Sequence, residues 1–307
     1  MATDNKKSET HALPVWLAFV MLVMTAVFWS GTTIVGRAAA GEIPPYSLTF
    51  WRWAIAFVVF IPIGFRPFWN QRDLYRHYFW RMAGFSFFGI VGFTIFFFTG
   101  MQLTTGINGS LLQAAGPVII VLASLIILKI GLTRGEIVGT LIAIAGSLVI
   151  VLHGDITLLR ALQFGLGDIF IILSMVSWAI YTICLRWKPD GLNPFGFIFV
   201  LAGLSVPMLL PFYLWELAAG QTFTLSYSNM GLIGYSSVFA SVVAYMFWNW
   251  GVAVVGANAA GFSHYLIPVF GTILSVILLG EALETYHVVA MVIIFGGLYL
   301  TTRHRTH

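Results

Sequence analysis

The stretch 97–146 occurs twice in this chain. Moved forward by 151 positions it falls without a gap on 248–297: Gly100 on Gly251, Pro117 on Pro268, Ser124 on Ser275, Leu128 on Leu279 and Gly146 on Gly297. Proline inside an apolar helix removes a backbone donor and bends the axis, so aligned prolines do not follow from shared composition alone. An earlier pair of segments repeats at an offset of 149, with Trp29 on Trp178, Arg37 on Arg186, Pro45 on Pro194 and Pro62 on Pro211. The offsets differ by only two residues. One unit is therefore read twice, over residues 1–155 and 156–307.

Each unit is dominated by apolar runs. A membrane-spanning helix needs about 20 mostly apolar residues. That ruler finds ten runs, at 14–36, 46–65, 79–100, 106–129, 134–153, 165–186, 194–215, 229–251, 257–280 and 286–302. The runs are too long for barrel strands and do not alternate apolar with polar. The sequence is 59% hydrophobic and 8% charged, where a soluble domain carries roughly 25% charged residues. A 307-residue globule cannot hide that surplus, so the lipid bilayer is the expected solvent for an all-α membrane protein. The net charge of +4 is no nucleic-acid signal, because the basic residues lie between apolar runs and not on one face. The single cysteine, Cys184, excludes an intrachain disulfide. The first run follows Lys6 and Lys7 and could mimic a signal peptide, but it is too long for one and carries the repeated Trp29 and Arg37.

Charge sets the expected orientation. With the N-terminus inside and ten spans alternating, twelve of the fifteen lysines and arginines fall on the inner side. Arg37 and Arg160 fall outside, and Arg52 lies within a span. This asymmetry fits the positive-inside rule and puts both termini in the cytoplasm. Five spans per unit is an odd number, so the second unit enters the membrane from the opposite side. Inverted repeats of this kind build secondary transporters, with substrate held near the midplane where the halves meet.

Pro268, the run Leu278-Leu279-Gly280-Glu281 and the pair Gly296-Gly297 resemble the repeat of the drug/metabolite transporter superfamily, in its branch with two EamA-type repeats. The first unit departs from this pattern at Lys129, where the Gly-Glu pair would begin. Aromatic richness and the stretch Phe50-Trp51-Arg52-Trp53 are similar to bacterial exporters of aromatic amino acids and related metabolites. The resemblance implies ten transmembrane helices in two inverted five-helix repeats in the bacterial inner (cytoplasmic) membrane. It implies a cavity lined by helices 1 to 4 and 6 to 9, with helices 5 and 10 outside. It implies a multi-pass exporter of amino acids, aromatic and other neutral ones, or related small metabolites, working by alternating access. Another small solute, a drug or a nucleotide-type metabolite, is the alternative. The expected partners are that small molecule and the bilayer, with no nucleic acid, no cofactor and no metal; the protein is a monomer or a homodimer.

Candidate cavity residues follow from depth and spacing. Helix 4 places Ser110, Gln113 and Pro117 on one face at i, i+3 and i+7, and helix 9 places Gly261, His264 and Pro268 at the equivalent positions. Each proline frees a carbonyl about one turn earlier, beside Gln113 or His264, and both prolines are candidate hinges. The structural alternative is that Gln113 and His264 bridge neighbouring helices. His264 is the one deep group that ordinarily titrates near neutral pH. Arg52, about two turns into helix 2, is costly there unless it faces protein or water. It is placed to take a substrate carboxylate, or else it snorkels outward beside Trp51 and Trp53. Asn108 is a cavity candidate or a helix cap. Trp29, Trp178, Tyr181, Tyr245 and Trp248 lie deep enough to stack on an aromatic substrate, whereas Trp16, Trp69, Trp80, Trp187 and Trp215 read as interface anchors. Asp168, Glu216, Glu281 and Glu284 all fall near span ends, which favours a facilitator or exchanger over a carboxylate-coupled pump. Gly135-x-x-x-Gly139 is a helix-packing spacing.

An intramembrane enzyme acting on lipids would need clustered carboxylates, histidines or cysteines near an interface, and the sequence has no His-Glu-x-x-His and no cysteine pair. A channel would call for filter-like rings. The topology is directly testable. A reporter fused after His307 should read cytoplasmic, and a periplasmic signal would overturn the ten-span alternation.

Overall fold

The computed structural model describes residues 14–39, 41–104, 112–161, 164–280 and 282–303, and every regular element within them is helical. Among the described residues, seven stretches are long and apolar enough to cross a membrane by length and composition. In chain order the main helices are α1 Val15–Ala39, α2 Pro45–Asn70, α3 at 79–103, α4 at 116–128, α5 Arg134–Val151, α6 Leu166–Cys184, α7 Pro194–Ala218, α8 at 227–255, α9 at 257–279 and α10 Thr285–Arg303. The expected starts and ends hold to a few residues except at the start of the fourth run, expected at 106, where 105–111 lie outside the described residues and α4 begins at 116. One difference is that α2 runs on to Asn70 and a short helix, Arg72–His77, follows, where the sequence suggested a basic gap. Pro62 and Pro67 lie inside α2 and do not end it.

The longest apolar stretch is the 52 residues Tyr227–Leu278. As one straight helix it would be about 78 Å long, more than twice the ~30 Å hydrocarbon layer. It breaks at Gly256, whose φ of 83° and ψ of 164° suit only glycine. Trp248 and His264 lie eight residues on either side of that point, yet their ring centroids are 4.6 Å apart. Sixteen residues of unbroken helix would separate them by about 24 Å. The chain therefore doubles back, and α8 and α9 form a helical hairpin.

Packing follows the duplication. α2 lies on α7, and α5 and α10 pack chiefly on each other; α3 packs on α6 as α8 does on α1, and α4 on α6 as α9 does on α1. The pairing is unchanged when each helix is exchanged for the one five places away. Both self-equivalent pairs run antiparallel. On α5, Gly139 faces Gly297 and Thr301 while Gly146 faces Ala290 and Ile294. A Cβ on Gly139 would sit 2.5 Å from the Gly297 carbonyl oxygen, so the two backbones touch and small residues are required. Along the other seam Phe50 stacks on Tyr213 and Phe57 on Phe199, with centroids 4.6 and 4.9 Å apart.

Some local backbone irregularities recur at nearly the same interval, although the π-helical segment Ser124–Leu128 in α4 has an α-helical counterpart. π-helical segments occupy Phe87–Gly92 in α3 and Ser236–Val243 in α8. Left-handed turns fall at Gly41 and Gly191, and at Lys129 and Gly280. Lys129 thus adopts, at φ 55°, a conformation its glycine counterpart reaches without Cβ strain.

Two of the four carboxylates near span ends, Glu216 and Asp168, prove to be helix caps, while Glu281 lies outside the described residues. Glu216 of α7 is buried and accepts from the backbone N–H groups of Tyr46 and Ser47 at 2.8 and 2.6 Å and from the Ser47 hydroxyl at 2.8 Å. These donors open α2 behind Pro44 and Pro45, where orphan N–H groups and the helix dipole favour an anion. Asp168 caps its own helix α6, accepting from Gly165 N at 2.8 Å and from Thr104. Glu216→Ala leaves two buried N–H groups without an acceptor and should cost about 2–3 kcal/mol. It is checked as a fall in melting temperature of the detergent-purified protein, against no change if the cap is dispensable.

Candidate functional site

Rings from four helices converge where the two halves meet. Trp29 of α1 and Trp178 of α6 are counterparts in the repeat, and they touch edge to face with centroids 5.1 Å apart. Trp248 of α8 lies 5.5 Å from Trp29 and 5.4 Å from Trp178. Tyr245 stands 5.6 Å from Trp178, and His264 of α9 is 5.4 Å from Trp29. Tyr181 is 5.2 Å from Trp178. Six candidates chosen by depth along separate helices thus form one cluster. Each pair is worth about 0.5–1.5 kcal/mol beyond its burial, so the cluster is stable as a unit. The indole N–H groups of Trp178 and Trp248 are buried and, among the described residues, have no acceptor. Buried donors of this kind normally find one, because leaving them bare costs about 1–3 kcal/mol each.

The two π-helical segments supply the polar groups around these rings. An extra residue in a helical turn shifts the hydrogen-bond ladder and frees carbonyls for other donors. In α8 the carbonyl of Ala240 accepts from Trp29 Nε1 at 3.0 Å and from the Arg52 guanidinium at 3.1 Å. Arg52 Nε also donates to the Ser241 hydroxyl, which itself donates to Ser236 O at 3.0 Å. In α3 the carbonyl of Gly89 accepts from the Tyr245 hydroxyl at 2.7 Å, and that of Phe88 from Ser177 at 2.9 Å. Gly89 is required for space, since a Cβ there would lie 2.5 Å from the Tyr181 ring. Arg52 points inward. Its guanidinium lies 5.8 Å from the centroid of Trp53, and among the described residues it has no carboxylate within ion-pair distance. Trp53, which the outward reading of Arg52 set at the interface beside Trp51, is fully buried and meets Tyr245 edge to face at 4.9 Å.

A hydrogen-bonded chain closes one end of the cluster. The Tyr181 hydroxyl faces the Asn249 amide, 2.8 Å from Nδ2 and 3.0 Å from Oδ1, and Nδ2 donates to Tyr245 O at 2.7 Å. With the Tyr245 hydroxyl on Gly89, this links α3, α6 and α8. Beyond it lies a cavity of about 370 Å³ lined by Arg81, Phe85, Phe88, Tyr181, Cys184 and Trp187. Tyr181 belongs to both the chain and the cavity wall.

The remaining candidates fall elsewhere. Gln113, the sequence counterpart of His264, is exposed. Ser110 and Asn108 lie outside the described residues. Pro117 sits in the first turn of α4 just after a turn at Ala115, and Pro268 follows a 3₁₀ turn at Ser263–Tyr265. Each proline therefore marks a helix restart and not a bend within a continuous helix. Ser241 and Asn249 were not singled out from the sequence. The available signal was the run of serines at 236, 237 and 241 inside an apolar helix. Asn249→Leu and Tyr181→Phe should each lower the melting temperature, and a double-mutant cycle should give a coupling of about 1 kcal/mol or more. Simple additivity would show that the two side chains do not act together.

Known proteins resemble this chain along nearly its whole length. The family model described as EamA-like transporter family matches residues 16–152 and again 165–303. The uncharacterized transporter YyaM of Bacillus subtilis (strain 168) is 26% identical over 91% of this chain and 92% of its own length. An uncharacterized transporter of Archaeoglobus fulgidus is 25% identical over 96% and 98%. The aromatic amino acid exporter YddG of Ancylobacter novellus is 23% identical over 92% and 96%. A crystal structure superposes with a TM-score of 0.75 at 20% identity, covering 95% of this chain and 99% of the other, and so shares its fold.

Proposed function

Because the chain belongs to the EamA-like transporter family, we propose that it is a secondary transporter of the bacterial inner membrane that exports amino acids, aromatic and other neutral ones, or related small metabolites by alternating access. The observation that carries the reading is the aromatic cluster shared by α1, α6, α8 and α9, with its unpaired indole donors. A substrate ring would stack among Trp29, Trp178 and Trp248, and a substrate carboxylate would take the Trp178 and Trp248 N–H groups or the Arg52 guanidinium. Arg52 is already held inward by Ala240 and Ser241, so little ordering cost falls on binding. One relative of similar length is named an aromatic amino acid exporter, which supports the substrate class.

The architecture proposed is ten spans in two repeats, 1–155 and 156–307, with both termini cytoplasmic. Supporting it are the exchange pattern of helix pairs and their antiparallel contacts. If a helix and its repeat counterpart pack antiparallel, the rotation relating the repeats inverts them. The α8–α9 hairpin supports reading Tyr227–Leu278 as two crossings. In this orientation the 370 Å³ cavity faces the cytoplasm, and its floor, Tyr181, is the gate toward the aromatic cluster. Separating Tyr181 from Asn249 would admit substrate, and its return would close the path behind it.

Counterflow in proteoliposomes with a panel of radiolabelled amino acids tests the reading. Trp178→Phe with Trp248→Phe keeps ring stacking and removes both donors. Two lost hydrogen bonds to a charged acceptor should cut uptake at low substrate about a hundredfold or more, with the melting temperature unchanged. Full uptake by the double variant would remove the cluster from the substrate path.

A further inference from the structure

A second cavity, of about 590 Å³, opens along the seam of α2 and α7 and shares no lining residue with the aromatic cluster. Its walls include Ile61 and Phe65 of α2 and Phe199 and Leu204 of α7, while Arg72 and Arg76 stand at its rim. Ile61 and Phe65 keep 42% and 47% of their surface exposed, so the groove faces outward into the apolar surroundings of the bundle. Its shape is built in. Gly203 lets the Phe57 ring lie where a Cβ would approach within 2.8 Å, which brings the helices together beneath the groove.

The rim carries spare positive charge. Arg72 and Arg76 share one carboxylate, Asp73, at 3.9 and 3.8 Å, the outer limit of an ion pair, and the Asp73 side chain is 82% exposed. Such a contact is weak in water. The Arg72 guanidinium also lies over the Trp69 ring at 5.1 Å, which holds it at the rim. A ligand that suits this place needs an apolar length and one anionic end. Inorganic phosphate would leave the groove unfilled, and a neutral lipid would leave the arginines unpaired.

We propose that this groove binds one anionic phospholipid, with an acyl chain along Ile61, Phe65, Phe199 and Leu204 and its phosphate between Arg72 and Arg76. The site bridges α2 and α7, the pair that Glu216 already ties at its far end. In the orientation proposed above, the lipid comes from the cytoplasmic leaflet, where basic residues beside the membrane attract anionic headgroups. The assignment does not depend on which solute is carried.

The full-length protein, purified in neutral detergent, is titrated with phosphatidylglycerol, phosphatidylcholine or inorganic phosphate. Bound lipid is read by native mass spectrometry and stability by thermal melting. The wild type should retain phosphatidylglycerol preferentially and melt higher with it. Arg72→Gln with Arg76→Gln should weaken phosphatidylglycerol binding about tenfold or more, at roughly fivefold per charge, and leave phosphatidylcholine unaffected. Leu204→Trp, which fills the groove and keeps both arginines, should weaken both lipids. Equal retention of the two lipids by the wild type would overturn the proposal. So would undiminished phosphatidylglycerol binding by the arginine double variant, or equal stabilisation by inorganic phosphate alone.

Discussion

A peptide group inside a bilayer has no water to bond, so every break in a helical ladder must be met by another part of the protein. The described residues show where such breaks are tolerated. The π-helical turns of α3 and α8 release carbonyls in the middle of the bundle, and side chains from other helices meet them: Ser177 and Tyr245 on one, Trp29 and Arg52 on the other. The same turns therefore place an arginine, a tyrosine and a tryptophan around one point. Satisfaction of the backbone and construction of the candidate site are the same event.

Duplication explains why that point is central. Helices that are counterparts in the repeat meet each other at α2 with α7 and at α5 with α10, and the Trp29–Trp178 contact joins the corresponding tryptophans. A residue near a twofold axis meets its own counterpart, so one favourable side chain appears twice in the same place. The halves are not identical there. The Trp29 indole has an acceptor in Ala240, whereas Tyr245 occupies the matching carbonyl of Gly89 and the Trp178 indole is left without one among the described residues. Asymmetry between near-copies is what gives the cluster its unsatisfied donors.

Much of this was legible in the chain. Apolar length gave the helices, and depth along each run selected the tryptophans, tyrosines and His264 that the fold brings together. Helix rotation was not legible. Trp51 and Trp53 share a helix end and a residue type, yet one is partly exposed and the other fully buried, because neighbours in α7 and α8 decide which face turns inward. The π-helical turns escaped notice since a one-residue slip in the ladder leaves the hydrophobic pattern almost unchanged. Glu216 read as an interfacial acid because its partners, Tyr46 and Ser47, lie some 170 positions away in the chain.

A single glycine, Gly256, makes the whole connection between α8 and α9. Gly256 is flanked by Val255 and Ala257, and the nearest polar side chain, Asn258, is itself buried. No hydrophilic segment separates the two helices. The turn therefore rests on one residue that has no Cβ, and any side chain at position 256 would meet a backbone conformation that L-residues avoid, so the separation of α8 from α9 is written into a single codon.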